Sequence, residues 1–154
     1  MKPEIVSGPR RNSFHGIEAA SQSFVAGDSV VLASGSVAIC ADDAVAILGI
    51  AQADATGTTG ADCVVTPLFP GDKVALDTWD TTPTAAIADA ATFEVGASYE
   101  LELDTAEWYA DLVGVTNTAF IFEETQGSLA DVLAGNTVYR GLFRIKTGVC
   151  QLTE

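Results

Sequence analysis

A chain of 154 residues with 7 Lys and Arg against 21 Asp and Glu carries a formal net charge of −14. That charge excludes nucleic acid and anionic membranes as partners of the body, because phosphate binding needs clustered Lys and Arg. The length fits one domain with an appended arm, and a 48% hydrophobic content fills a core without a metal or disulfide staple.

The positive charge sits at the two ends. Lys2, Arg10 and Arg11 open the chain, and Arg140, Arg144 and Lys146 lie near its close. Between Asn12 and Tyr139, Lys73 is the one base against 19 acids. Residues 1–22 read as an N-terminal arm, because Pro3, Gly8 and Pro9 break regular structure and the apolar content is thin. Such a segment is disordered or ordered only against a neighbour. The opening MKPEIVSGPRRNSF has no apolar run of signal-peptide length, and no stretch reaches the roughly 18 apolar residues of a membrane helix.

Residues 23–154 read as the body. Short strands separated by Gly, Asp and Ser turns are predicted at Val30–Leu32, Val37–Cys40, Val45–Gln52, Cys63–Phe69 and Lys73–Asp77. In the last of these, apolar and polar residues alternate with the period of a half-buried strand. Thr78 to Ala91, with Trp79 and Pro83, reads as a long surface loop. Strands resume at Phe93–Val95, Tyr99–Leu103, Trp108–Val115, Ala119–Glu123 and Val138–Lys146. Ser128–Gly135 is the one helix candidate, with Ser128 as cap and Gly135 as stop. The expected fold is all-β, a small barrel or sandwich with one short helix and an extended N-terminal arm. Gly27-Asp28-Ser29-Val30 and Gly71-Asp72-Lys73-Val74 share G-D-x-V at a strand start, which turn chemistry alone explains.

No constellation selects a reaction. The single histidine, His15, lies in the arm, a poor place for a catalytic base that must be rigidly held. The three cysteines, Cys40, Cys63 and Cys150, cannot all pair and sit in apolar runs, which suits reduced thiols and synthesis in a cytosol. No C-x-x-C pair is present, so zinc is not implied. Glu100, Glu102 and Asp104 share one face of a strand, either as a divalent-cation site or as the solvent side. Asp42-Asp43 reads first as a turn. The loop Thr56–Gly60 lacks the Lys of a phosphate loop and reads as a flexible hairpin loop. No catalytic residue, cofactor or metal is assigned.

The basic residues carry the binding prediction. Arg140, Arg144 and Lys146 share one side of the last strand, either pairing with an acidic row such as Glu100/Glu102/Asp104 or facing a separate acidic protein. Trp108-Tyr109 opens a strand, with one ring expected inward and the other outward. Trp79 in its polar loop suits an interface anchor. The expected contact residues are Pro9, Arg10, Arg11, Phe14, Trp79, Arg140 and Arg144.

The stretch FVAGDSVVLASGSVAICADDAVAILGIAQADATG, followed by CVVTPLFPGDKVAL, is similar to the decoration (cement) proteins of tailed-phage capsids and related small β-barrel, β-tulip-like virion proteins. The resemblance covers Phe24 to Leu76, about a third of the chain. It implies a protein made in the host cytoplasm that binds the outer surface of the expanded capsid. The implied partners are the major capsid protein and two further copies in a homotrimer. Residues 2–17 would be the arm along the shell, with Arg10 and Arg11 on acidic capsid surface. Two other roles compete: a tail or head-fibre component binding host surface or glycans, and a small acidic hydrolase.

Overall fold

The computed structural model describes residues 3–7, 12–79, 94–104, 107–111, 116–126 and 140–152. These residues are all-β. Eleven strands run in chain order as β1 (Glu4–Ser7), β2 (Phe14–Ile17), β3 (Ser29–Ala33), β4 (Ser36–Ile39), β5 (Gly49–Ala51), β6 (Asp62–Pro67), β7 (Lys73–Trp79), β8 (Ser98–Asp104), β9 (Glu107–Asp111), β10 (Phe120–Gln126) and β11 (Arg140–Ile145).

The strands form two sheets of one design. One has the order β2-β6-β5-β3-β4, the other β7-β11-β10-β8-β9 with β1 added on β7. If the five strands of each sheet are numbered in sequence, both orders read 1-5-4-2-3. The second sheet closes into a barrel through parallel pairing of β7 with β9, where Thr78 meets Ala110. The first curls to the same point, where Glu18 bridges Val37 in parallel. The β7–β9 pairing joins the two edges of the second sheet, whereas a single bridge joins those of the first.

The registers agree as well. Val30 pairs with Gly49 where Tyr99 pairs with Phe120. Leu32 pairs with Val37 where Leu101 pairs with Ala110. Phe14 pairs with Val65 where Val74 pairs with Phe143. The two halves are therefore a structural duplication. The turn before β3 and the turn before β8 match too: Gly27 N–H donates to Ala51 O and Gly96 N–H to Phe122 O, each at 2.8 Å. Gly27 and Gly96 have φ of 94° and 91°, which glycine adopts without strain.

The shared G-D-x-V motif does not follow this duplication. Gly71-Asp72 precedes β7, the counterpart of β2, not of β3. Its likeness to Gly27-Asp28 is local: Asp28 and Asp72 are buried, and each accepts the backbone N–H three residues back, from Val25 and Phe69, at 2.8 Å. Turn chemistry is the whole explanation.

Side-chain size separates the halves. The first barrel is filled by small residues, Val30, Val37, Ala51, Cys63 and Val65, with Phe24 and Leu48. The second is aromatic. Tyr99, Phe120 and Phe122 surround Phe143 with ring centroids 5.5–6.2 Å away, spacing at which aromatic pairs attract. The second core runs on into the first barrel through Cys40, Ala44, Ile47 and Ile50. Trp108, fully buried, donates its indole N–H to Asp28 Oδ1 at 3.3 Å and so links the barrels. Gln151 adds a second link, donating to Leu32 O at 2.9 Å and accepting Leu32 N–H at 2.6 Å.

Several expectations change. The N-terminal segment is extended, but it is ordered against its own chain: β1 lies on β7, and β2 is a member of the first barrel. Its short apolar positions suffice because one side of each strand meets a core; Ile5 and Phe14 pack there. Thr78 and Trp79 belong to β7 rather than to a loop, since the parallel pairing with β9 extends the strand. Val95-Gly96 is a turn, not a strand. Trp108 and Tyr109 are both buried rather than split inward and outward. The expected helix at 128–135 lies outside the described residues, as does the rest of the loop from residue 80 to 91.

Candidate functional site

The first candidate is a charged face on the second barrel. Lys73 opens β7 opposite Arg144 on β11, and Glu123 lies on neighbouring β10. Glu123 takes Lys73 Nζ on one oxygen at 2.5 Å and Arg144 Nε on the other at 2.9 Å. The Lys73 hydrogen bond, against the opposing effect of burial and with help from Arg144, holds the Glu123 carboxyl below its ordinary range. The three line an open groove of about 370 Å³ with Val95, Gly96 and Ile121. Val95 is 76% exposed there. Farther along β11, Arg140 pairs with Asp77 at 3.3 Å, and Lys146 donates to Thr118 Oγ1 at 2.7 Å.

The first barrel carries a neutral version of the same triad. By register, Ser13, Gln52 and Thr66 stand where Lys73, Glu123 and Arg144 stand. Gln52 Nε2 donates to Ser13 Oγ at 2.8 Å and to Thr66 Oγ1 at 2.9 Å. The chain thus presents two outer faces of one geometry, one neutral and one ionic.

The second candidate is an acidic seam between the barrels. The turn after β4 supplies Asp42 and Asp43, and β8 supplies Glu100 and Glu102. Asp42 accepts Leu103 N–H at 3.1 Å, and Asp43 N–H donates to Leu101 O at 2.9 Å, which fixes the turn on β8. Carboxylate oxygens of Asp42, Asp43 and Glu102 lie within 4.8 Å of one another. A hydrogen bond with Glu100, then burial, then the charge of Glu100 push Asp43 up to about 6. Burial and the charges of Asp42, Asp111 and Asp43 push Glu102 up to about 7. Burial works to raise Glu100, but N–H donation from Asn117, the Asp43 carboxyl and Thr116 N–H outweigh it and hold Glu100 low. This seam can share protons, and its oxygen-only donors suit a hard cation.

A buried carboxylate escaped the sequence reading. Glu18 is 1% exposed and accepts Thr56 N–H at 2.7 Å, Thr56 Oγ1–H at 3.1 Å and Gly57 N–H at 3.1 Å. The loop from Thr56 is therefore fastened at its start, not a free hairpin loop. Nothing in the local pattern around Glu18 signals this, because the donors are 38 and 39 residues away. All three thiols are free; burial pushes Cys40 up to about 12 and raises Cys63, which makes these two poor nucleophiles. His15 is exposed on β2.

The expected contact residues scatter. Pro9, Arg10 and Arg11 lie outside the described residues, and of Trp79 only its place at the end of β7 is described. Phe14 is half-buried against the first core. Arg140 and Arg144 share the outer side of β11 and pair internally, but with Asp77 and Glu123 rather than the row at Glu100, Glu102 and Asp104. The reason is register: β11 lies between β7 and β10, not beside β8. Among the described residues no helix is long and apolar enough to cross a membrane. No protein family, curated protein or solved structure matches this chain.

Proposed function

We propose that the chain is a structural virion protein that binds the outer surface of a phage capsid and stabilises the expanded shell. The observation that carries this reading is the duplication. One chain offers two outer faces of the same geometry and different chemistry, a form suited to bridging two copies of a repeated lattice subunit. The likeness of Phe24–Leu76 to capsid decoration proteins supports the same reading, and so does an acidic body that stays soluble at high copy number. The major capsid protein is the partner, and trimers at three-fold positions belong to this proposal. Arg144 is 42% exposed beside the groove and remains able to meet an acidic shell surface. Binding only to the expanded lattice stabilises that lattice by linkage, and many modest contacts act together.

The test is co-sedimentation of the purified chain with expanded shells and with procapsids, followed by thermal melts of the shells. Selective binding to expanded shells with a raised melting temperature is expected. Equal binding to both, or none to either, overturns the proposal.

A further inference from the structure

The duplication exposes a strand edge that is covered in one barrel and, among the described residues, uncovered in the other. In the second barrel, β7 carries three partners: β11 on one side, and β1 and β9 sharing the other. Strand β1 covers Lys73, Val74 and Ala75, ahead of the point where β9 takes over. The counterpart of β7 is β2. Its equivalent residues are Ser13, Phe14 and His15, ahead of the bridge from Glu18 to Val37. Among the described residues no strand covers them.

The backbone there faces outward. Gln52 N–H donates to Val64 O, so Val64 turns its peptide groups to β5, and Cys63 and Val65 turn theirs to β2. Phe14 and Gly16, opposite Val65 and Cys63, are thereby turned to β6. His15 between them directs its N–H and C=O away from β6, as Ala75 does toward Glu4 of β1. His15 is exposed, and its neighbour Ile17 is 45% exposed. An edge that no described strand covers is a template for strand addition.

We infer that the Ser13–His15 edge of β2 receives an extended, neutral or basic strand from a partner protein, paired as Glu4–Ser7 pairs with β7. The occupant's chemistry follows from the filled edge. Ile5 sits opposite Val74 and packs against the second core, so the residue opposite Phe14 is apolar. The chain's own strand is already used on β7. A second copy is disfavoured because each copy carries a net charge of −14, and exposed Asp62, opposite Ile17, adds negative charge beside the edge. If the proposed function holds, the strand belongs to the shell protein; the edge itself does not depend on that reading.

The experiment is an amide-resolved NMR titration of the full chain with a capped peptide of residues 2–11, KPEIVSGPRR, a basic-flanked copy of β1. Shifts and slowed exchange centred on Ser13–His15 are expected at millimolar peptide. His15→Pro, which removes the outward N–H and leaves the Phe14 and Gly16 ladder to β6 intact, should weaken binding about tenfold, while His15→Ala should not. Backbone N-methylation of the peptide, which leaves the protein untouched, should give the same loss. No response at 13–15, a response confined to β7, or equal effects of His15→Ala and His15→Pro overturns the inference. Self-association of the peptide-free chain that His15→Pro abolishes would assign the edge to a second copy and overturn the partner assignment. The titration needs no shell, so its failure leaves the docking proposal standing. Failed shell binding with intact peptide binding overturns that proposal alone.

Discussion

Gln52 and Glu123 occupy the same position in the two barrels, each reaching across to the residues at the two neighbouring strand positions. Gln52 reaches Ser13 and Thr66, and Glu123 reaches Lys73 and Arg144. The scaffold tolerates either a neutral or an ionic bridge at this point. Glu123→Gln alone leaves two cations facing each other. Because Lys73 and Arg144 are 37% and 42% exposed, solvent screening limits the cost to about 0.5–1 kcal/mol. That corresponds to a fall of about 1–4 °C in Tm, shrinking with added salt. Converting all three, with Lys73→Ser, Glu123→Gln and Arg144→Thr, should return stability to within about 0.5 kcal/mol of the parent. Thermal melts at low and high salt decide it; a single variant as stable as the parent at low salt removes the energetic role of the bridge.

The acidic seam sets an unusual pH dependence. Asp43 at about 6 and Glu102 at about 7 lie above the unfolded carboxyl range near 4. Between those values the folded state holds protons that the unfolded state releases. Their contribution is therefore full below the unfolded value and is lost as pH rises through 6 to 7. Glu100 and Glu123, both lowered, act oppositely: their contribution is present above the unfolded value and is lost as pH falls through their folded values. Stability should peak near about pH 5. Discounted for exposure, the loss toward about pH 8 is about 1 kcal/mol, or about 2–4 °C. Asp43→Asn should flatten that alkaline limb in a pH series of melts. A Tm that rises steadily from pH 5 to 8, as ordinary salt-bridged carboxylates would give, contradicts the shared-proton seam.

Local signals in the sequence located most strands and said little about how they close. The runs Val30–Leu32 and Lys73–Asp77 read correctly because apolar and β-branched residues between Gly and Asp turns leave few alternatives. Strands β1 and β2 did not, because Glu4–Ser7 and Phe14–Ile17 are only 4 residues each and flanked by Pro, Gly and Arg. Their stability comes from long-range pairing with β7 and β6, which no local pattern records. The duplication was hidden for a related reason. Equivalent positions hold Gly49 and Phe120, Ala51 and Phe122, Val65 and Phe143, so the backbone repeats while side-chain size does not. The repeated G-D-x-V pointed to the wrong pair of strands. The internal pairing of the basic row was legible as one option, but its acidic partners depended on β11 lying between β7 and β10.

Deleting the N-terminal segment should therefore act in two steps. Removing residues 1–8 takes away β1 and uncovers the Lys73–Ala75 edge, but both rings keep their five strands. The body should stay folded, with Tm lowered and amides of Lys73–Ala75 exchanging faster. Removing residues 1–17 also removes β2, so β6 loses one of its two partners and the path to the Glu18–Val37 bridge is broken. That variant should lose the first barrel, seen as rapid proteolysis and loss of strand signal in circular dichroism. A cooperative melt close to the parent's after the longer deletion would show that β2 is dispensable.

Gly49 is the sharpest test of the small core in the first barrel. A methyl group there would lie 2.1 Å from Thr66 O, 2.8 Å from Val65 Cγ1 and 2.9 Å from Pro67 Cα. Two of these are backbone atoms of β6, paired directly with β5, so they cannot swing aside as a flexible side chain would. Phe120 fills the equivalent place in the second barrel, which shows that the topology allows bulk and that the close approach of the β6 backbone forbids it here. Gly49→Ala should cost about 3 kcal/mol, at the upper end of overpacking penalties, and lower Tm by about 6–12 °C. Hydrogen exchange should place the damage in β5 and β6 while the aromatic cluster around Phe143 stays protected. A Tm within about 2 °C of the parent would mean that β5 and β6 separate freely, and that close strand packing does not set the size of this barrel.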